Sequence, residues 1–298
     1  MNRSPVHPSA PATDRWWRDA VIYEVYPRSF ADSDGDGVGD LQGIAARLGY
    51  LADLGVDAIW LTPFYPSPQV DMGYDVADYC DVDPLFGALE DIDDVLRRAH
   101  ALGLRVIVDI VPNHCSSAHP RFQAALAAGP GSPERDWFVF REGRGPDGSQ
   151  PPNNWPGTDA GTAWTQVRAA DGTPEQWYLH LFDAAQPDWN WDNPAVADMF
   201  DDVLRFWLDR GVDGFRVDVS HGMVKAAGLP DLAERGWTQV IPTVDPLTRP
   251  PMWDQDPVHD IHRRWRRVVD EYDERILVAE AWLDPRRGKL YVRPDEMH

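Results

Sequence analysis

Cysteine is scarce in this chain, with Cys80 and Cys115 the two thiols in 298 residues. That is too few for the disulfide framework that holds small secreted folds together. Long apolar runs are missing too, and none approaches the roughly 18 residues of a membrane-spanning helix. The opening segment MNRSPVHPSAPATD has no hydrophobic stretch of the kind a secretory leader needs. Basic residues are outnumbered, 28 Lys and Arg against 49 Asp and Glu, for a net charge of −21. Such a surface repels phosphate backbones and anionic lipid, so nucleic acid and membrane are not the expected partners. Gly/Ser linkers and low-complexity segments are absent as well. What is present falls in the ordinary globular range, 43% hydrophobic and 26% charged, enough for a sizeable core. A soluble cytoplasmic protein is the expectation. The 14 Trp are more pointed, because indole rings fill cores and interfaces but also stack on sugar faces.

Residues 1–14, rich in Pro, Ser and Ala, read as a flexible tail. After them, strand-like runs alternate with helical stretches. The runs are VIYEVYP (21–27), DAIWLTP (57–63), RVIVDIVPN (105–113), VDGFRVDVS (212–220) and RILVAEAW (275–282). Between them lie helices expected over 44–55, 90–103, 194–211 and 257–273, the third capped by Asn193 with Pro194 in its first turn and Gly211 as its stop. Strand and helix in alternation spell βαβ units and a parallel sheet. Residues 115–192 break the rhythm with Pro, Gly, Asn and Trp, which predicts a small inserted domain. Five strands do not close an eight-stranded barrel. Either the sheet is open, or the chain is the front part of something longer.

The C-terminal ends of three strands carry polar residues that a buried strand would normally avoid: Asp109 to His114, Arg216 and Asp218, and Glu280. In α/β barrels this is the end where active sites form. Arg216 and Asp218 are two apart on a strand, so both point to one face. A neighbouring guanidinium keeps a carboxylate ionised, which suits a nucleophile. Glu280 lies between Ala279 and Ala281, and a carboxyl among apolar neighbours suits a general acid. Such a pair across a sugar is the equipment of glycoside hydrolysis. A second constellation, Asp32-Ser-Asp34-Gly-Asp36-Gly-Val38-Gly-Asp40, alternates carboxylates with glycines and can wrap a hard cation. It is not an EF-hand, since Gly43 stands where the closing Glu would be.

From Trp16 onward the chain resembles glycoside hydrolase family 13, the α-amylase family, in its α-glucosidase and oligo-1,6-glucosidase branch. The motifs are WLTPFYPSP (60–68), DMGYDVADY (71–79), DIVPNH (109–114), PPNNW (151–155), QWYLHLF (176–182), PDWNWDNP (187–194), GFRVD (214–218) and EAW (280–282). The resemblance implies a (β/α)8 TIM barrel with an inserted domain B. Residues 15–114 and 193–298 would be barrel strands one to five, and 115–192 domain B. The fold would be truncated after the fifth strand, with the C-terminal β-domain absent. It implies Asp218 as nucleophile and Glu280 as general acid/base, with His114 and Arg216 holding sugar and nucleophile. Asp71 and Tyr74 would shape the closed end of a pocket for terminal glucose. The acidic loop resembles the branch's calcium loop, with Asp32, Asp34, Asp36, the Val38 carbonyl and Asp40 as ligands of a structural Ca2+; no organic cofactor is implied.

Two departures from the family pattern stand out. Asp159-Ala160-Gly161 replaces a Phe-Gly-Gly element that lines the pocket entrance, and the sequence reaches His298 before the family's third carboxylate. The expected activity is retaining hydrolysis of terminal α-glucosidic bonds in short malto- or isomalto-oligosaccharides, with the isolated 298-residue chain inactive. The alternatives are a trehalose synthase or other transglucosylase of the same family, and a noncatalytic scaffold. The last class tends to lose the carboxylates that stand here at 218 and 280.

Overall fold

A computed structural model describes residues 15–158, 161–232 and 249–298. The tail at 1–14 and the Asp159-Ala160 departure lie outside the described residues. The elements run, in chain order, β1 (Ile22–Val25), α1 (Pro27–Phe30), α2 (Leu41–Leu54), β2 (Ala58–Leu61), α3 (Leu89–Ala101), β3 (Arg105–Ile110) and α4 (Pro120–Ala128). They continue with β4 (Phe140–Arg141), β5 (Trp164–Arg168), β6 (Pro174–Leu179), α5 (Pro194–Asp209), β7 (Gly214–Val217), α6 (Val258–Val269), β8 (Ile276–Ala279) and α7 (Pro285–Gly288).

The strands that the sequence predicts form one parallel sheet in the order β1-β2-β3-β7-β8. Its order follows the chain, as in consecutive strands of a barrel. Among the described residues β1 pairs only with β2, and β8 only with β7, so the sheet is open. The register Asp109↔Arg216↔Val278 sets neighbouring strand ends level. Alternation then decides the faces. Ile59, Leu61, Val106, Val108, Phe215 and Leu277 are buried in the main apolar core, together with Leu48, Leu51, Val95, Leu204 and Trp265 from α2, α3, α5 and α6. Ile22, Glu24, Trp60, Ile107, Arg216 and Glu280 help line a cavity of about 460 Å3. Gly214 permits a close approach between β7 and β8. A Cβ there would sit 2.5 Å from the carbonyl oxygen of Ile276 on β8.

Local chemistry sets the helix ends. Asn193 accepts a hydrogen bond from the Ala195 N–H and Pro194 opens α5, as the sequence predicts. Helix α2 begins at Leu41, a turn earlier than expected. The Asp40 carboxylate caps it by accepting from the Gly43 N–H at 2.6 Å. Gly43 is a poor helix former, which hides this first turn in the sequence. It is needed there, because a Cβ would lie 2.1 Å from the Ala31 carbonyl oxygen.

Between β3 and α5 the chain leaves the parallel sheet. It forms α4 and an antiparallel sheet of order β4-β6-β5. Isolated bridges His114↔Asp188 and Phe138↔Trp189 fasten this segment to the end of β3. Trp155 and Trp164 are buried in a second apolar cluster with Leu179, Leu181 and Trp253. Trp189, Trp207 and Trp265 are also fully buried, so these five indoles serve as core. No helix among the described residues is long and apolar enough to cross a membrane.

Candidate active site

Three strand ends converge on one guanidinium. Arg216, on β7, donates from Nη1 to Asp109 Oδ1 at 2.7 Å and to Asp218 Oδ1 at 2.7 Å, while its Nη2 lies 3.1 Å from Glu280 Oε2. The carboxylates come from the end of β3, the residue just past β7 and the residue just past β8. Backbone bonds continue the ladder beyond the strands and fix both chain ends. The Asp218 N–H donates to the Ile110 carbonyl, and the Glu280 N–H to the Val217 carbonyl, each at 2.9 Å.

One cation among three carboxylates leaves the cluster short of positive charge. Burial pushes the Asp218 carboxyl well above its ordinary range; Arg216 opposes this, and Glu280 and Asp109 reinforce it. Asp109 is likewise raised by burial and lowered by Arg216, Trp60 and Tyr74. The expectation that Arg216 simply keeps Asp218 ionised therefore needs amending, because the guanidinium is shared. The side chain of Asp218 is 8% exposed and that of Glu280 is 22% exposed. Glu280 is thus the more accessible of the two from the cavity. Its Oε2 accepts a hydrogen bond from the Val219 N–H at 2.8 Å. Val219 holds φ at +43°, unusual for a β-branched residue. Such strain costs about 1–3 kcal/mol and persists where surrounding structure over-determines it. Ser220 supplies that support, its N–H and hydroxyl donating to the Glu280 carbonyl at 2.9 and 2.7 Å.

The other expected site residues gather beside this cluster. The Tyr74 hydroxyl donates to Asp109 Oδ2 at 3.2 Å, and burial keeps that hydroxyl protonated. The Arg216 guanidinium sits 5.7 Å from the centre of the Tyr74 ring and 5.0 Å from that of Trp60. His114 is buried, and desolvation pushes its imidazole down to about 4, so the ring is neutral in ordinary buffer. Asn113 Nδ2 donates to its Nδ1 at 3.1 Å, leaving Nε2–H for the Tyr74 carbonyl at 3.2 Å. Asp71 is exposed, and its Oδ2 accepts from Gln186 at 2.9 Å.

Four residues with no role assigned from sequence belong to the same network. Asp109 stands at a strand end in DIVPNH, and its role as second anchor for Arg216 depends on register. Trp60 donates from Nε1 to Asp109 Oδ2 at 2.8 Å. Gln186 reaches Asp71, and its amide nitrogen is also 3.2 Å from His114 Nε2. Its one sequence signal is its place just before PDWNWDNP. Lys225 is a buried cation that pairs with Asp188 at 2.8 Å and donates to Asn113 Oδ1 at 2.8 Å. It thereby joins the loop after β7 to the residue that orients His114.

The acidic loop lies apart from this cluster, before α2. Gly35 and Gly37, at φ +86° and +93°, bend it back on itself. One oxygen each from Asp32, Asp34 and Asp40 falls within 4.8 Å of the others. Asp36 is not in that group; its Oδ1 accepts from the Val38 N–H at 2.7 Å. The N–H groups of Gly35 and Gly37 hold the Asp32 carboxyl below its ordinary range.

Known proteins resemble this chain over most of its length. A protein of Rhizobium meliloti (strain 1021) named "Probable alpha-glucosidase" is 45% identical over 285 residues, 92% of this chain and 49% of that protein. The oligo-1,6-glucosidase of Parageobacillus thermoglucosidasius is 39% identical over 280 residues, 94% of this chain and 48% of that protein. The crystal structure of the trehalulose synthase MutB from Pseudomonas mesoacidophila MX-45 superposes with a TM-score of 0.86 at 35% identity, covering 97% of this chain and 49% of that one. The chain thus spans about half the length of the relatives it matches. The model of the alpha-amylase catalytic domain matches residues 24–298, and with that match this chain belongs to the α-amylase family, glycoside hydrolase family 13.

Proposed function

We propose that the protein containing this chain is a retaining glycoside hydrolase acting on terminal α-glucosidic bonds of short oligosaccharides. The observation that carries the reading is the single Arg216 guanidinium spanning Asp218 and Glu280, at 2.7 and 3.1 Å. Asp218 attacks the anomeric carbon as the bond to the leaving oxygen breaks, and Glu280 gives that oxygen its proton. A covalent glucosyl ester on Asp218 results. Glu280, now ionised, takes a proton from water, whose oxygen displaces Asp218 and releases glucose with its configuration retained. Arg216 and neutral His114 orient the nucleophile and sugar, and Asp71 and Tyr74 border the pocket. Residues 15–114 and 193–298 are the barrel part and 115–192 the inserted domain. A cytoplasmic location fits the two thiols, which form no disulfide.

Incubation with maltose and isomaltose, followed by product analysis and NMR of the released anomer, tests the reading. Glucose released first as the α-anomer is the expected result; β-glucose would overturn the retaining mechanism. Transfer of glucose to a second sugar is the competing outcome. It is favoured by the likeness to a trehalulose synthase and would reassign the protein as a transglucosylase.

The acidic loop is proposed to hold one structural Ca2+ through Asp32, Asp34, Asp36, the Val38 carbonyl and Asp40. The donor set is all oxygen, as calcium requires, and Asp34, Asp36, Val38 and Asp40 border a cavity of about 130 Å3. Asp36 would join through Oδ2, the oxygen that does not accept the Val38 N–H. A chelator should lower the melting temperature by several degrees, since an ion at a hundred times its Kd adds about 2.7 kcal/mol. Asp34→Ala should abolish the difference between calcium and chelator. Thermal unfolding indifferent to both would count against the ion.

A further inference from the structure

We propose that His259, His262 and Glu296 form a binding site for one divalent transition-metal ion of the zinc type, distinct from both the catalytic cluster and the acidic loop. His259 and His262 are three apart on α6, so both rings leave the same face of the helix. Glu296 meets them from the segment that follows α7. All three residues are at least nine-tenths buried. One ligand atom from each lies within 4.8 Å of the other two. Two neutral imidazoles and a carboxylate are a donor set that suits zinc, with a fourth position left for water.

The hydrogen bonds already orient the three groups for this role. His262 Nε2–H donates to the Ser220 carbonyl at 3.2 Å. That assigns the proton to Nε2 and leaves a bare lone pair on Nδ1. Nδ1 faces Glu296 Oε2 at 3.8 Å and has no hydrogen-bond partner. Two acceptors turned toward each other in a buried place are unfavourable unless positive charge sits between them. A metal-bound histidine usually donates its other ring N–H to a carboxylate, water or backbone carbonyl, as His262 does to Ser220. Glu296 is fixed in turn, because its Oε1 accepts from Arg263 at 2.9 Å and from Arg293 at 3.3 Å, which leaves Oε2 for the histidines. His259 Nδ1 lies 2.6 Å from the same Oε2, and its Nε2 has no partner. The Tyr291 ring packs 5.0 and 5.1 Å from the two imidazoles. Metal entry replaces the His259–Glu296 hydrogen bond, and the neutral His259 ring carries its one proton on Nε2 instead of Nδ1.

The site would tie α6 to the segment after α7. Through Ser220 it is also linked to the Asp218 loop, since His262 and Glu280 both contact that residue. The test is titration of the purified 298-residue chain with Zn2+ by calorimetry, and with Co2+ followed by visible absorption. One equivalent bound, intense cobalt bands of low coordination number, and a metal-dependent rise in melting temperature are expected. Glu296→Gln and His262→Phe should each weaken binding at least tenfold, and Asp34→Ala should not. His262→Phe keeps the site filled with a ring, so circular dichroism will separate lost binding from lost folding. No stoichiometric binding by the folded chain would overturn the site. So would binding that survives in both variants.

Discussion

Asp218→Ala is expected to reduce turnover of an aryl α-glucoside by at least about a thousandfold, because it removes the group that forms the covalent intermediate. The measurement is made on a protein that carries this chain joined to a second half like that of its relatives. The Asp218 side chain is 8% exposed and gripped by Arg216 at 2.7 Å. Its position is thus set by the two strands on either side, and no water-borne group replaces it at the same place. Glu280→Gln provides the contrast. It removes the proton donor but keeps a group that can accept the Val219 N–H. Substrates with good leaving groups need little acid help, so part of the activity on them should survive while activity on maltose is lost. Near-normal turnover by Asp218→Ala would overturn the assignment of roles.

Arg216→Met is expected to lower folding stability by about 3–5 kcal/mol near neutral pH, the usual cost of stripping one partner from a buried ion cluster. Asp109 has no exposed side-chain surface, and with Arg216 gone three carboxyls face one another without a cation. Burial already raises Asp109 and Asp218, and loss of the guanidinium raises them further. The sign of the pH effect follows from linkage. A carboxyl whose folded pKa lies above its unfolded value favours the native state below the unfolded value. That contribution is lost as pH rises through the folded value. The variant should therefore lose more stability than the parent as pH rises from about 6 to about 8, because Asp109 ionises in the parent at about 7 whereas in the variant it stays protonated to higher pH. Urea unfolding of both proteins at the two pH values checks this. Equal losses at both would mean that Arg216 acts by packing alone. Turnover should fall as well, since Arg216 also aims Asp218.

What the sequence by itself determined is whatever depends on near neighbours. The two-residue period put Arg216 and Asp218 on one face of β7. Asn193 and Pro194 announced the start of α5, and alternating Asp and Gly marked the loop before α2. These are local consequences of backbone geometry, so a string of residues suffices to read them. Contacts set by strand register were not legible in that way. Asp109 meets Arg216 because β3 and β7 pair level, although the two stand 107 positions apart in the chain. Gln186 reaches Asp71 from 115 residues away, only because the segment between β3 and α5 folds back over the strand ends. One guanidinium shared by three carboxylates amended the simple picture of an ionised nucleophile, since charge balance depends on everything within a few ångströms. The buried Lys225 and the meeting of Glu296 with the α6 histidines have the same origin. Helix and strand periods act along the chain, whereas desolvation and Coulomb forces act through space, and only the packed fold brings these charges within reach of one another.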